Sequence, residues 1–348
     1  IFVVPCRYSE GLLKVITKAL YAFRRMRFVF KNFRKDKYNM IFVRDGIFDG
    51  LLALYIKWRY KIPFVFEMAN PIEQNWETHK FYSKHKCFWY FVSKIEAHIT
   101  MHILRKADLV LPTTKWMKED FAKKGIEKSK MMPYPNGIDT NRFSNRNGEE
   151  IRRRYGLEDS KVVIYIGTID KLRQLNVLIN AFSKVREKKE NVKLLMVGDG
   201  TDKSNLEKLA SELGIKDDVI FTGQVYFNEV PNFIAAADMG VATMSPLDFN
   251  KLSSPIKMFE YMASGKPVVA NGEIPEQKEV IEESEGSILV KFKEESFARG
   301  ILELLDNSER AKEVGKKGHE WVVKNRSYEI LAHRLEERYF ELLRNLGK

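Results

Sequence analysis

The chain has 348 residues, 44% of them hydrophobic and 30% charged, with a formal net charge of +12. That size and balance exclude a disordered chain, a stapled mini-protein and a lone small module, and leave room for two domains with cores of their own. No apolar run reaches the roughly 18–20 residues that cross a bilayer. The two cysteines, Cys6 and Cys87, lack the paired spacing of a disulfide framework or a zinc site and fit a reducing compartment.

In chain order, apolar runs predict strands at 1–4, 40–43, 64–67, 109–112 and 131–133, with helices over 9–35, 48–60, 80–106 and 114–124 between them. The chain opens on Ile1 and goes straight into its first apolar run, so an N-terminal truncation is expected. The 9–35 helix carries an apolar stripe of Leu12, Ile16, Ala19, Phe23, Met26, Phe30 and Phe33. Lys14, Lys18, Arg24, Arg25, Lys31 and Lys35 lie off the stripe. Such a helix either covers its own sheet or meets anionic lipid headgroups. Residues 1–150 hold 28 Lys and Arg against 15 Asp and Glu, whereas residues 151–348 hold 31 against 32. The excess charge therefore lies in the first part, which suggests a basic face turned toward a phosphate-rich partner.

A turn signal, Pro135-Asn-Gly-Ile-Asp139, and a polar stretch over 141–150 separate a second series. Its strands are expected at 162–167, 193–198, 219–223, 239–243, 267–270 and 287–290, and the last fifty residues read as helical. Strand and helix alternate throughout, so the fold class is α/β with two doubly wound parallel sheets and an active site in the cleft between them.

Three strand-end segments and one helix carry the chemistry. Gly167 and Thr168 close a strand ahead of a helix, where backbone lets a ligand approach, and Arg173 offers a forked cation for a diphosphate. Gly198 and Asp199 form a tight turn that either touches a ligand or simply starts a helix. Val225 and Tyr226 follow the strand-end Gly223, where a nucleobase or the core takes the aromatic ring. The fourth segment, Ser253-Ser-Pro-Ile-Lys-Met-Phe-Glu-Tyr-Met-Ala-Ser-Gly-Lys-Pro-Val-Val-Ala270, is the most informative. Ser254, Pro255 and the N–H groups after them face an anion, Lys257 reaches the same charge, and Glu260 accepts bonds from a ribose diol. Together they suit a nucleotide sugar. In the first part, Glu67 and Asn70 end a strand and are candidates for contacting the transferred sugar or an acceptor hydroxyl, Glu67 having an equally good structural reading. No metal-ligand cluster stands out.

These strings, in this order, resemble glycosyltransferase family 4, the glycogen-synthase-like retaining glycosyltransferases of the GT-B fold. The matching runs are Tyr165-Ile-Gly-Thr, Arg173, Leu178-Ile-Asn-Ala-Phe, Val197-Gly-Asp-Gly, Phe221-Thr-Gly, Ala237-Asp238 and Ser254 to Ala270. Asn136, Gly137 and Asp139 look like the family's interdomain Asn-Gly-Val-Asp segment. The resemblance implies an acceptor-side Rossmann-like domain over 1–140 without its first strand and loop. It also implies a donor-binding domain over 141–326 and a C-terminal helix over 327–348 that crosses back. It implies a hexosyltransferase-type activity from a nucleoside-diphosphate sugar to a glycan or lipid-linked acceptor, in cell-surface polysaccharide or glycoconjugate synthesis. No cofactor besides the donor is implied. The expected location is cytoplasmic, peripheral at an anionic membrane surface through the basic first domain. Two departures stand out: Thr168 sits where the family often has an arginine, and Leu252 where it often has a sugar-reading glutamate, with Asp248 as the nearby substitute. A catalytically silent binding subunit and a GT-B epimerase remain open. A nucleic-acid binder is suggested by charge alone, but no RNA- or DNA-binding signature appears.

Overall fold

The computed structural model describes residues 23–31, 33, 37–82, 85–144 and 146–347. The expected strand at 1–4 lies outside them, as does most of the 9–35 helix, of which 23–31 is helical.

The chain divides into two compact units, Ile1–Tyr134 with Arg338–Lys348, and Pro135–Glu337. The first contains a parallel sheet in the order β1 (Ile41–Arg44), β2 (Phe64–Met68), β3 (Leu109–Pro112). The helices Ile47–Tyr60 and Lys86–Lys106 make the crossovers, and β2 and β3 are buried along their whole length. Continuous apolar runs such as Phe64-Val-Phe belong to strands covered on both faces. The run at 131–133 is no strand: Met131 makes one isolated parallel bridge to Val110. Met132 N donates to Val110 O and Tyr134 N to Pro112 O, but Pro112 has no N–H to return to Met132, so no full ladder forms. The helix expected over 80–106 is two helices, Gln74–Tyr82 and Lys86–Lys106.

The second unit holds β4 (Lys161–Ile166), β5 (Val192–Val197), β6 (Val219–Gly223), β7 (Met239–Ala242), β8 (Val268–Asn271) and β9 (Ser287–Val290), all parallel, in the order β6-β5-β4-β7-β8-β9. Side chains alternate along β4 and β5. Val162, Ile164, Leu195 and Val197 enter one core, while Val163, Tyr165, Leu194 and Met196 enter the other. The chain runs outward from β4 to β6, then returns to β7 beside β4. That reversal is the switch point where an open α/β sheet opens a crevice at its strand ends.

The joints fall at 134/135 and 337/338, whereas the sequence placed them at 140/141 and 326/327. The reason is a parallel bridge between Ile138 and Ser327, in which Ile138 N donates to Arg326 O and Tyr328 N to Ile138 O. This bridge fastens both connecting segments to the second unit. From Arg338 onward the Tyr328–Asn345 helix belongs to the first unit, where Arg338 Nη2 donates to Ser129 O.

Candidate donor-binding site

The switch point places the loop after β4 next to the loop and helix after β7. Gly167 ends β4 with φ +146°, and a Cβ there would lie 3.2 Å from Lys257 Nζ. The glycine thus leaves the space that the lysine head occupies. Lys257 comes from the first turn of the Ile256–Ala263 helix, and its ammonium lies 4.0 Å from the ring centre of the buried Tyr165. Burial pulls the Lys257 amine down to about 7; nearby Arg173 lowers it further, while Glu260 and Asp170 oppose the shift. Arg173 and Glu260 therefore act on the same ammonium from two different elements.

Arg173 ends a short 3-10 turn, Lys171–Arg173, rather than starting the next helix as the sequence suggested. Gln174 follows at φ +51° and separates that turn from the helix Asn176–Arg186. A non-glycine residue in the left-handed region is uncommon and is held by its surroundings. Here the buried Ser245, just past β7, donates to Leu172 O and pins the turn. Asn250 in turn donates to Ser245. Among the described residues neither the Arg173 guanidinium nor the Lys257 ammonium has a hydrogen-bond or ion-pair partner. Asp170 Oδ1 and Thr243 Oγ1 are buried without a hydrogen bond. Two unpaired cations and two orphaned polar atoms at one switch point mark a place built for a polar ligand.

The Ile256–Ala263 helix has Pro255 at its N-cap and no side-chain cap, so its first N–H groups are left to a ligand. Glu260, one turn in, is buried. Burial raises its carboxyl, opposed by Lys257 and Arg142. It has no hydrogen-bond partner for its carboxylate among the described residues. Tyr261 accepts from Ile166 N at 2.9 Å, fixing the helix to β4, and Gly240 leaves room for its ring.

Ser254 makes a contact that the sequence did not suggest. Its hydroxyl accepts from Asn136 N at 3.3 Å and its carbonyl from Asn136 Nδ2 at 2.9 Å. The pair ties the helix entrance to the connecting segment, so the serine also positions the helix. Gly137 leaves room for Tyr328 and Leu331, and Asp139 caps the Thr140–Phe143 turn by accepting from Arg142 N at 3.2 Å. Gly198 and Asp199 have structural contacts too. Gly198 has φ +139°, and a Cβ there would collide with Gly167 O. The exposed Asp199 carboxylate accepts from Gly200 N at 2.7 Å. Gly198→Ala is expected to destabilise the fold by about 2–4 kcal/mol, through both the φ and the collision. A melting temperature equal to the parent's would contradict this.

Val225 packs against the core, whereas Tyr226 is exposed and its backbone N donates to Glu229 at 3.3 Å. Thr168 is exposed, its carbonyl accepting from Tyr165 Oη at 3.2 Å. The side chain of Asp248 is 98% exposed and pairs with Lys251 at 2.9 Å. The sequence reading missed Arg142, whose guanidinium lies 3.7 Å from the Phe227 ring centre and donates to Phe227 O, beside Glu260. It also missed the buried pair of Glu276 and Arg326, 2.9 Å apart. In the first unit, Glu67 is buried and bonded to Arg44 at 3.3 Å, and burial raises its carboxyl. Asn70 is exposed and donates to Asp45 at 3.2 Å; Asp45, at φ +54°, also accepts from Ala69 N. No cluster of three or more metal-ligating side chains occurs among the described residues, and no helix there is long and apolar enough to cross a membrane.

Comparison with known proteins gives the same fold. The profile described as "Glycosyl transferases group 1" matches residues 147–321, and that of "Glycosyltransferase Family 4" matches residues 5–142. The chain is 28% identical, over 66% of its length, to a GDP-mannose-dependent alpha-(1-6)-phosphatidylinositol monomannoside mannosyltransferase of Mycolicibacterium smegmatis. It spans 62% of that relative. It is 23% identical to an alpha-monoglucosyldiacylglycerol synthase of Streptococcus pneumoniae, covering 86% of this chain and 68% of that one. Among solved structures, sucrose-phosphate synthase of Thermosynechococcus elongatus superposes with a TM-score of 0.74 at 19% identity, covering 97% of this chain and 81% of that one. Anabaena HepE, solved with UDP and glucose, gives 0.73 at 16% identity, covering 96% and 84%.

Proposed function

The chain belongs to the group 1 glycosyl transferases, of GT-B fold, and on that premise we propose that it transfers a sugar, with retention, from a nucleoside-diphosphate sugar to a glycan or lipid-linked acceptor. The observation that carries this is the meeting of Lys257 and Arg173, both unpaired among the described residues, at an uncapped helix N-terminus with Glu260 one turn inside. When the sugar–phosphate bond breaks, the leaving diphosphate gains most of the charge. Two cations and helix N–H groups held in advance stabilise that charge without reorganising. Glu260 accepts from the ribose diol, and the Phe227–Arg142 stack offers a flat face for the base. Donor binding needs no further cofactor in this account.

In the first unit Glu67 and Asn70 are the groups offered to the acceptor, Asn70 held in place by Asp45. Two relatives are named for lipid acceptors, which supports a lipid-linked one, met at an anionic membrane surface by the basic first unit in glycoconjugate synthesis on the cytoplasmic side. A turnover screen of nucleotide sugars, with the anomeric proton of the product read by NMR, tests the proposal. Arg173→Ala should lower turnover by about a hundredfold and leave binding of the free nucleoside unchanged. Equal turnover would refute the role of the guanidinium. One observation favours a second reading, a binding subunit without turnover: Leu252 replaces the acid, and the nearby Asp248 is exposed and paired with Lys251. Calorimetric donor binding with no product across the screen would establish that reading.

A further inference from the structure

We propose that the start of the Lys86–Lys106 helix is the element by which the first unit enters an anionic membrane, seating Phe88 and Phe91 below the headgroups. The proposal rests on the reading of the basic first unit given above and specifies its contact. Residues 88–91 read Phe-Trp-Tyr-Phe, followed by Val92 and Ile95. A helix on a soluble surface would turn such residues inward. Here Phe88 is 60%, Phe91 69% and Ile95 49% exposed, and their spacing of three and four puts them on one stripe. The other end of the same helix is anchored, with Thr100, Met101, Ile103 and Leu104 buried. The aromatic end thus projects from a rigid base, braced by Trp76 edge-on to Tyr90 at 4.6 Å.

Charge decides what it meets. The first turn of this helix has no acidic residue and no side-chain cap, and it carries the exposed Lys86, with the exposed Lys94 two turns on. Lys94 sits 5.4 Å from the Tyr90 ring centre. A helix N-terminus is itself partly positive, so lysine there is unfavourable in isolation and favourable against phosphate. Phenyl rings that enter the apolar layer, a tyrosine and a tryptophan at the headgroup level, and lysines at the rim make up an interfacial anchor. This is a different element from the 9–35 helix that the sequence pointed to.

Cys87, exposed beside Phe88, gives a direct test. The full chain with Cys6→Ser is labelled at Cys87 with an environment-sensitive fluorophore and mixed with phosphatidylglycerol–phosphatidylcholine vesicles or with phosphatidylcholine alone. The expected result is a blue shift, quenched by doxyl lipid, with the anionic vesicles only. Phe88→Ser with Phe91→Ser should lower partitioning by about a hundredfold, the loss of two phenyl burials. The thermal shift given by UDP or GDP should stay as in the parent. If the chain sediments with anionic vesicles while the label stays in water and the double variant binds equally well, this element is overturned and the basic-surface reading stands. No sedimentation at low salt overturns both, and equal binding to neutral vesicles overturns the charge argument.

Discussion

Lys257→Met is expected to lower turnover with a nucleoside-diphosphate sugar by about a thousandfold, and to raise the melting temperature below pH 7. The two effects have one cause. Lys257 is half-buried, its amine desolvated beside Arg173, and its pKa falls to about 7, against roughly 10.4 in an unfolded chain. Below pH 7 the folded protein holds a desolvated charge with no hydrogen-bond or ion-pair partner among the described residues, and this disfavours the fold in full. Between pH 7 and about 10.4 the unfolded chain binds more protons than the folded one, so the penalty fades as pH rises. Methionine keeps the packing over Tyr165 and removes the charge, so the variant gains stability at pH 6 and nothing above pH 10.5. Gain of stability with loss of activity is what a binding cation predicts, and a lysine that merely supports the fold predicts the reverse. A bound diphosphate raises the amine again, so binding takes up a proton. Affinity for UDP or GDP should therefore weaken as pH rises above 7, by up to about tenfold per pH unit, and that slope should vanish in the variant. A pH-independent affinity in the parent would contradict the assignment.

Glu260→Gln is expected to weaken binding of UDP or GDP by about thirty- to a hundredfold, and to leave binding of the 2′,3′-dideoxy analogue unchanged. Hydrogen bonds from a hydroxyl to a carboxylate contribute about 1.5–3 kcal/mol, and this carboxylate is buried with no protein donor bonded to it among the described residues. Glutamine keeps the shape and offers one acceptor in place of two. If the loss were the same with the dideoxy nucleotide, the residue would be holding the helix rather than the ribose. Calorimetry on the four combinations separates the two.

The parts of the site legible in sequence are those that lie close together along the chain. A proline at the helix entrance, a lysine in its first turn and an acid one turn on share a single short segment, so spacing alone places Lys257 and Glu260. Gly167 and Arg173 are a strand end and a nearby turn and were equally readable. What spacing could not give are the links across the sequence. Asn136 meets Ser254 from 118 residues away, and Arg326 meets Glu276 from 50. Those links give Ser254 a bracing role that its local spacing does not show. The packing of Gly198 was not readable for a related reason: a glycine beside a site often makes room for a ligand, and this one makes room for Gly167 O. The strand at 131–133 failed because its neighbour across the sheet, Pro112, has no N–H to continue the ladder beyond the bridge at Met131. The strands β4, β5, β7 and β8 read well because they are largely buried, and parallel pairing demands the helices that separate them.

The most direct measurement is a crystal structure of the full chain with UDP or GDP bound. The account predicts a phosphate oxygen within about 3 Å of Lys257 Nζ and a second phosphate contact from Arg173. The helix entrance at Ile256 should face the diphosphate, and the ribose hydroxyls should lie on Glu260. A nucleotide bound elsewhere, or one whose phosphates avoid both cations, would contradict it.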